Sequence, residues 1–326
     1  MQSKNGARRR KILGLALAAG SAFSLPALAA WPEKPIRIVV PYSAGGGTDI
    51  VARHLAQRLQ ARLGQTVIVE NRAGADGTIG TDNVAKSPGD GYSYVLVVAS
   101  HLINPQVFPK MPYDTFKDFT GVTMVAESPL VFFTGAGIPA NNARELADLI
   151  RKTPGKYSYG SSENMTRLVG AMLVKGESLD AVHIPYKGGG PLTTDVAGGQ
   201  TTFGVTSVLT ARGLLSAGKI KVVGITGPRR SPALPDVPTM QELGFKGFEP
   251  VRTTYSLFAP ASTPRPILDR MQKEISAVIH TPEMIDILAQ QAAIPVGNSS
   301  ADFNEQVKRE SELWGRLAKM AGLKAE

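Results

Sequence analysis

The chain has 326 residues, enough for about two domains, and is 43% hydrophobic and 19% charged, an ordinary globular composition with no low-complexity tract that argues for disorder. It contains no cysteine, which excludes disulfides, thiol nucleophiles, Cys-ligated zinc and iron–sulfur clusters. The formal charge of +9 belongs partly to the N-terminus and is poor support for nucleic-acid binding.

Met1 to Ala29 reads as an export leader. Lys4, Arg8, Arg9, Arg10 and Lys11 form a basic start, Ile12 to Leu25 is apolar but too short to span a membrane stably, and Ala27-Leu28-Ala29 is an A-x-A cleavage site. The alternative is an N-terminal anchor helix, against which Gly20, Ser21, Ser24 and Pro26 interrupt the run. Arg9-Arg10 is also a weak twin-arginine pattern, so the export route stays open. Removing the leader's five basic residues from the 36 leaves 31 against 27 acidic ones, a charge of +4 for a mature chain starting at Ala30. Export without cysteines fits a bacterial periplasm.

From there, strand-like and helix-like segments alternate. Ile36 to Tyr42 predicts a buried strand, and Thr48 to Leu63 a helix with Val51, Leu55, Leu59 and Leu63 on one face and Gly64 as its stop. Strands at Thr66 to Glu70 and Tyr92 to Ser100 flank a helix at Thr78 to Ser87, a βαβαβ order that implies a parallel sheet. Strands follow at Gly121 to Ala126 and Leu130 to Thr134, with a crossing between domains near Glu127-Ser128-Pro129. A second set runs from a helix at Asn142 to Lys152 through strands at Tyr157 to Gly160, Ala181 to Pro185, Thr202 to Thr206 and Ile220 to Ile225, with helices at Thr166 to Lys175 and Val208 to Ser216. A proline-rich turn leads to Thr253 to Phe258, a strand that crosses back, and helices at Pro266 to Ile279, Pro282 to Gln290 and Ala301 to Ala321 end the chain. The expected organisation is a leader (1–29), a discontinuous domain (30–128 with 252–326) and an inserted domain (129–251). The fold class is α/β, each domain a mainly parallel sheet flanked by helices, with two crossing segments as a hinge.

Two segments echo each other: Pro41 to Asp49, reading Pro-Tyr-Ser-Ala-Gly-Gly-Gly-Thr-Asp, and Pro185 to Asp195, which opens Pro-Tyr-Lys-Gly-Gly-Gly-Pro. Each joins a strand to a helix start, where unpaired backbone N–H groups meet the positive end of a helix dipole and bind anions. Either loop alone is also readable as a tight turn, and Lys187 as a solvated cation. Two such loops in two domains suggest a clamp on one small carboxylate. Candidate ligand contacts are Ser43, Ala44, Gly45, Gly46, Gly47, Thr48 and Asp49 in the first loop, and Tyr186, Lys187, Gly188, Gly189 and Gly190 in the second. Asp49 is a candidate helix cap. Residues after other strands join them because ligands sit at the carboxyl ends of strands in such sheets: Ser100 and His101, Ser161, Ser162 and Asn164, and Thr206 and Ser207. Bulky residues at Gly46 or Gly189 are expected to block binding.

Catalytic patterns are absent. There is no G-x-S-x-G or H-E-x-x-H, and His54, His101, His183 and His280 are dispersed. No G-x-G-x-x-G or P-loop lysine marks a nucleotide site. No metal, cofactor or nucleic-acid partner is expected, and a monomer is.

Trp31-Pro32-Glu33-Lys34-Pro35-Ile36, Val39-Val40-Pro41-Tyr42 with Ala44-Gly45-Gly46 and Asp49, Val69-Glu70-Asn71-Arg72-Ala73-Gly74, Gly89-Asp90-Gly91-Tyr92, Ile103-Asn104-Pro105, Pro112-Tyr113-Asp114, His183-Ile184-Pro185-Tyr186-Lys187-Gly188, Pro235-Asp236-Val237-Pro238-Thr239 and Phe258-Ala259-Pro260 together resemble the Bug-type solute receptors of tripartite tricarboxylate transporters. The resemblance implies a two-domain periplasmic clamp that holds a ligand carboxylate through main-chain groups and ordered water at the two glycine loops. It implies integral membrane transporter subunits as partners, with a sensor kinase as the alternative. An exported enzyme acting on a carboxylate is the remaining rival. Two departures from the family pattern lie where the distal end of a ligand would be: Glu163, Asn164 and Arg167 in place of a glycine-rich turn with Thr and His, and Thr254-Tyr255 where Trp is frequent. Glu163 either faces the cleft, where it favours an amino or hydroxyl group on the ligand, or faces solvent.

Overall fold

The computed structural model describes residues 31–290 and 292–323; the expected leader lies outside them. In chain order the first third forms β1 (Ile36–Val40), α1 (Gly47–Leu63), β2 (Val67–Asn71), α2 (Thr78–Ala85), β3 (Ser93–Val97), α3 (Ser100–Val107) and β4 (Phe119–Ser128). The middle forms β5 (Leu130–Gly135), α4 (Ala143–Lys152), β6 (Tyr157–Ser161), α5 (Asn164–Gly176), β7 (Ala181–Pro185), α6 (Gly189–Ala197), β8 (Phe203–Ser207), α7 (Val208–Ser216) and β9 (Ile220–Ile225). The chain ends with β10 (Thr253–Pro260), α8 (Arg265–Ile279), α9 (Pro282–Ala289), β11 (Ile294–Pro295) and α10 (Ser300–Met320).

Local chemistry accounts for the element ends. α1 buries Val51, Leu55, Leu59 and Leu63 along one face and stops at Gly64, whose φ of +66° suits glycine and whose N–H donates to the Gln60 carbonyl. α4 starts at Asn142, whose side chain accepts from the Glu145 N–H, and α10 starts at Ser299, which accepts from the Asp302 N–H. The strand expected over Tyr92 to Ser100 ends at Val97, and Ser100 instead opens α3. Its first residues are buried, so their polar groups find partners inside the protein.

The strands make two sheets, in the orders β11-β4-β10-β3-β1-β2 and β7-β6-β8-β5-β9. The expected mainly parallel sheets are mixed. β1 runs parallel to β2 and β3, and β6 parallel to β7 and β8, as the crossovers demand. β10 wedges between β3 and β4, antiparallel to both, and β5 is antiparallel to β8 and β9. The physical reason is the chain's route. It leaves the first sheet along β4, enters the second on β5, and returns on β10 beside the strand it left by.

One core lies between α1, α8 and the first sheet. A second is continuous across both sheets, joining Phe258, Phe303 and Trp314 to Met165, Leu168 and Phe203. It runs through α3, α5 and α10, so the two lobes are packed together on the side where the chain crosses. Phe303 comes so close to β4 that a Cβ on Gly121 would lie 2.6 Å from its ring. Each such fully buried ring contributes about 1.5–3 kcal/mol through burial alone. Phe303→Ala is therefore expected to lower stability by about 3–5 kcal/mol, because a rigid strand cannot collapse into the gap. Urea unfolding checks this; an unchanged midpoint would remove α10 from the structural core.

Candidate functional site

Four strand-to-helix turns open on one cleft of about 250 Å³, below the roughly 300–1,000 Å³ of pockets for drug-sized ligands and suited to a small acid. The turns precede α1, α5, α6 and α7, and each sends residues to the lining: Ser43 to Thr48, Ser162, Glu163 and Thr166, Lys187 to Pro191, and Thr206, Ser207 and Thr210. The first N–H groups of a helix have no acceptor within it, and each helix end carries about half a positive charge. Four helix N-termini around one small volume make a site for negative charge that needs no cationic side chain.

Side chains behind the cleft fix the loops. Gly45 turns at φ +81°, and its N–H donates to the Asp49 carboxylate at 2.9 Å. Arg53 Nε and Asn71 Nδ2 donate to the same carboxylate at 3.0 Å each. Burial pushes the Asp49 carboxyl up, but these hydrogen bonds outweigh it and hold the group below its usual range. Asp49 thus lies in the first turn of α1 and organises the loop from behind; the helix cap is Gly46. In the second loop the Tyr186 hydroxyl donates to Asp195 at 2.9 Å and pairs with Thr201 Oγ1 at 2.6 Å, anchoring the strand that delivers Gly188. Ser43 Oγ donates to the Lys187 carbonyl at 3.1 Å, so the two glycine loops touch.

Several expected contacts are elsewhere. Asp49 and Tyr186 support the loops without lining the cleft. Ser100 is 0% exposed; its hydroxyl donates to Glu163 Oε2 at 3.2 Å and accepts from the Met165 N–H at 3.1 Å. His101 is 2% exposed among Tyr113, Phe119 and Phe258, and burial pushes its imidazole down to about 3, so it stays neutral and structural. Ser161 is turned toward His183 Nε2 at 2.7 Å, and Asn164 donates to Asn104 Oδ1 at 3.0 Å. These four lie at or just after strand ends as expected, but helix formation turns Ser100, His101 and Asn164 inward and the neighbouring strand's His183 claims Ser161.

The structure adds residues that the loop pattern does not reveal. Tyr42, Tyr255, Thr253, Val98, Leu130, Thr166 and Thr210 line the cleft with Glu163, beside Pro191 of the second glycine loop. Burial pushes the Tyr255 phenol up to about 12, and burial followed by the charge of Glu163 raises Tyr42, so both phenols are neutral hydrogen-bonding groups. Tyr42 directly precedes the glycine loop and was the readable one; Tyr255 arrives from a strand far along the chain. Glu163 opens partly to the cleft yet is enclosed at depth. Burial, then the Asp76 carboxylate, pushes its carboxyl up to about 7 against the Ser100 hydrogen bond. Among the described residues, no group of acids and histidines is placed to hold a metal ion.

Close approach makes Gly47 the critical glycine of the first loop. A Cβ there would lie 2.8 Å from the Tyr255 hydroxyl and 3.1 Å from Ser207 Oγ, whereas on Gly46 it would meet only the Ser43 carbonyl at 3.5 Å. In the second loop a Cβ on Gly189 would lie 2.5 Å from Thr210 Cγ2. Gly47→Leu is expected to weaken ligand binding by roughly 100-fold, or about 2.7 kcal/mol, and Gly46→Ala to cost far less; calorimetric titration of both variants checks the order. Glu163 also makes a prediction without ligand. Its folded-state value is raised, so its contribution to stability is full below its ordinary carboxylate value and is lost as pH rises through about 7. Glu163→Gln should flatten that loss, read as urea midpoints at pH 5 and pH 8.

Residues 51–323 match the sequence model of the tripartite tricarboxylate transporter family receptor. The chain is 34% identical over 317 residues to the UPF0065 protein of the tcbD-tcbE intergenic region of Pseudomonas sp. (strain P51), covering 96% of this chain and 94% of that one. It is similar in structure to the periplasmic binding protein BugD, with a TM-score of 0.86 and 35% identity over 91% of this chain and 100% of that one. The R. palustris protein Rpa4515, solved with adipate, superposes with a TM-score of 0.87 at 30% identity, covering 90% and 99% of the two chains. The chain belongs to the receptor family of the tripartite tricarboxylate transporters.

Proposed function

We propose that the protein is an extracytoplasmic receptor that captures one small organic carboxylate between two lobes, residues 30–128 with 252–326 and residues 129–251, and delivers it to integral membrane transporter subunits. The observation that carries this reading is the convergence of four helix N-termini on one small cleft. The carboxylate lies against the glycine loops of α1 and α6, held by backbone N–H groups and bridging water, which lets one scaffold accept varied acids. That Rpa4515 was solved with adipate supports a carboxylate as the ligand class. The basic and apolar N-terminal segment acts as the export leader, and the mature receptor works as a monomer in the periplasm. Closure is a population shift, driven by the ligand's extra affinity for the form in which Ser43 reaches the Lys187 carbonyl.

A catalytic role has little to stand on. Ser161 and His183 are the right types for a nucleophile and base and are 2.7 Å apart. They are outside the cleft lining, Ser161 is 3% exposed, and burial pushes His183 down to about 4. A poor base beside an inaccessible hydroxyl does not make a nucleophile.

Native mass spectrometry of the protein purified from a periplasmic extract, followed by thermal shift with carboxylic acids, sugars and amines, tests the reading. A small acid is expected to copurify, and one acid class to stabilise the fold by about 2.7 kcal/mol at a hundred times its dissociation constant. Stabilisation by sugars or simple amines alone would contradict it.

A further inference from the structure

Among the described residues, Glu163 is the acidic side chain in the cleft lining and none supplies it with a cation. Its neighbours come from every element packed against it. Tyr42 from the β1–α1 turn and Tyr255 from β10 are neutral phenols. Ser100 from α3 gives it one neutral hydrogen bond. Asp76, from the turn before α2, adds a second carboxylate. Arg167, one turn along α5, acts on Asp76 and on His183, and is not among the charges that act on Glu163. Lys187 lines the cleft, but its side chain is exposed and does not figure at Glu163 either.

So one wall of the cleft holds a carboxylate with no counter-ion among the described residues, while the glycine loops offer positive backbone ends to another carboxylate. A ligand with a second carboxylate at Glu163 would meet like charge from Glu163 and Asp76 at close range, which is unfavourable in a partly desolvated site. An ammonium group there turns both terms into attraction and gives Glu163 a charge-assisted hydrogen bond. Glu163 sits at the N-terminus of α5, which supports its ionised form. Its value near 7 keeps that form accessible at neutral pH.

We propose that Glu163 selects amino carboxylates, ligands that carry an ammonium group beside the carboxylate held by the glycine loops, over plain mono- and dicarboxylic acids. The proposal rests on the receptor reading above and names its substrate class. It gives binding a definite proton linkage. An ammonium ligand needs Glu163 ionised, so affinity is flat above about pH 7 and falls roughly tenfold per pH unit below it, with proton release on binding. A second ligand carboxylate at this position would need Glu163 protonated and would show the opposite slope, with proton uptake.

The experiment is calorimetric titration of matched pairs that differ only in the amino group: 4-aminobutyrate and butyrate, aspartate and succinate, glutamate and glutarate. Each is titrated into the wild type and into Glu163→Gln, at pH 6, 7 and 8 and in two buffers of different ionisation enthalpy. The Gln side chain keeps the Ser100 partner, and a retained thermal melt shows that the variant folds. The expected result is one amino member bound at least roughly tenfold more tightly than its partner at pH 8, a preference that shrinks at pH 6 and disappears in Glu163→Gln. A des-amino acid bound as tightly as its amino partner, or a preference that survives in Glu163→Gln, overturns the proposal and leaves the carboxylate receptor standing. Failure of the folded wild type to bind any of the six acids overturns the receptor reading for small acids and this inference with it.

Discussion

The arrangement of the cleft depends on the positive ends of helices, with backbone N–H groups of the two glycine loops facing the opening. Each of α1, α5, α6 and α7 begins where a strand of its sheet ends, so the doubly wound topology itself gathers positive helix ends at one edge. Backbone donors have fixed directions and no side-chain entropy to lose, which makes them economical anion ligands. They also demand that nothing project between them and the ligand, which is why Gly47 and Gly188 stand where the lobes come together and Gly189 where α7 packs against its loop. The charged residues are mostly set back. Asp49 works behind the first loop with Arg53 and Asn71, and Asp195 behind the second with Tyr186.

That gathering of helix ends needs the two lobes in register. The shared core under α3, α5 and α10 supplies it on the crossing side, and the hydrogen bonds among Ser100, Glu163, Met165, Asn104 and Asn164 continue it toward the cleft. The Arg252–Glu127 pair, 3.5 Å apart and partly exposed beside the crossing strands, adds little by comparison. Glu163 therefore belongs to two systems: it starts α5 and takes part in the inter-lobe hydrogen bonds, and it faces the cleft as a charge. Any ligand that ionises or neutralises it acts on the packing of the lobes as well as on its own affinity.

Local features of the site were legible in the sequence. The glycine loops, the stop of α1 at Gly64 and the helix start after Pro185 are encoded within a few residues each, and they sit where expected. What escaped was set by distant chain. The apolar run of Thr253 to Phe258 declared a strand, but not that it would lie antiparallel between β3 and β4. His101 follows a strand as a ligand contact would, and is claimed by Tyr113, Phe119 and Phe258 from elsewhere in the sequence. Gly46 and Gly47 are equivalent as letters; only Tyr255 and Ser207, brought up by other elements, make the second one crowded. Glu163 stood out as a departure from a family pattern, yet its state depends on Asp76, Ser100 and two phenols that no spacing rule assembles.

The central claim is that backbone amides of both glycine loops hold one anion together. Amide proton resonances of Gly46, Gly47, Gly189 and Gly190, followed by nuclear magnetic resonance as a bound acid is titrated in, test it directly. The account predicts that both loops shift downfield and gain protection from exchange along one saturation curve. Changes confined to a single loop, or absent from both while the acid binds, would contradict it.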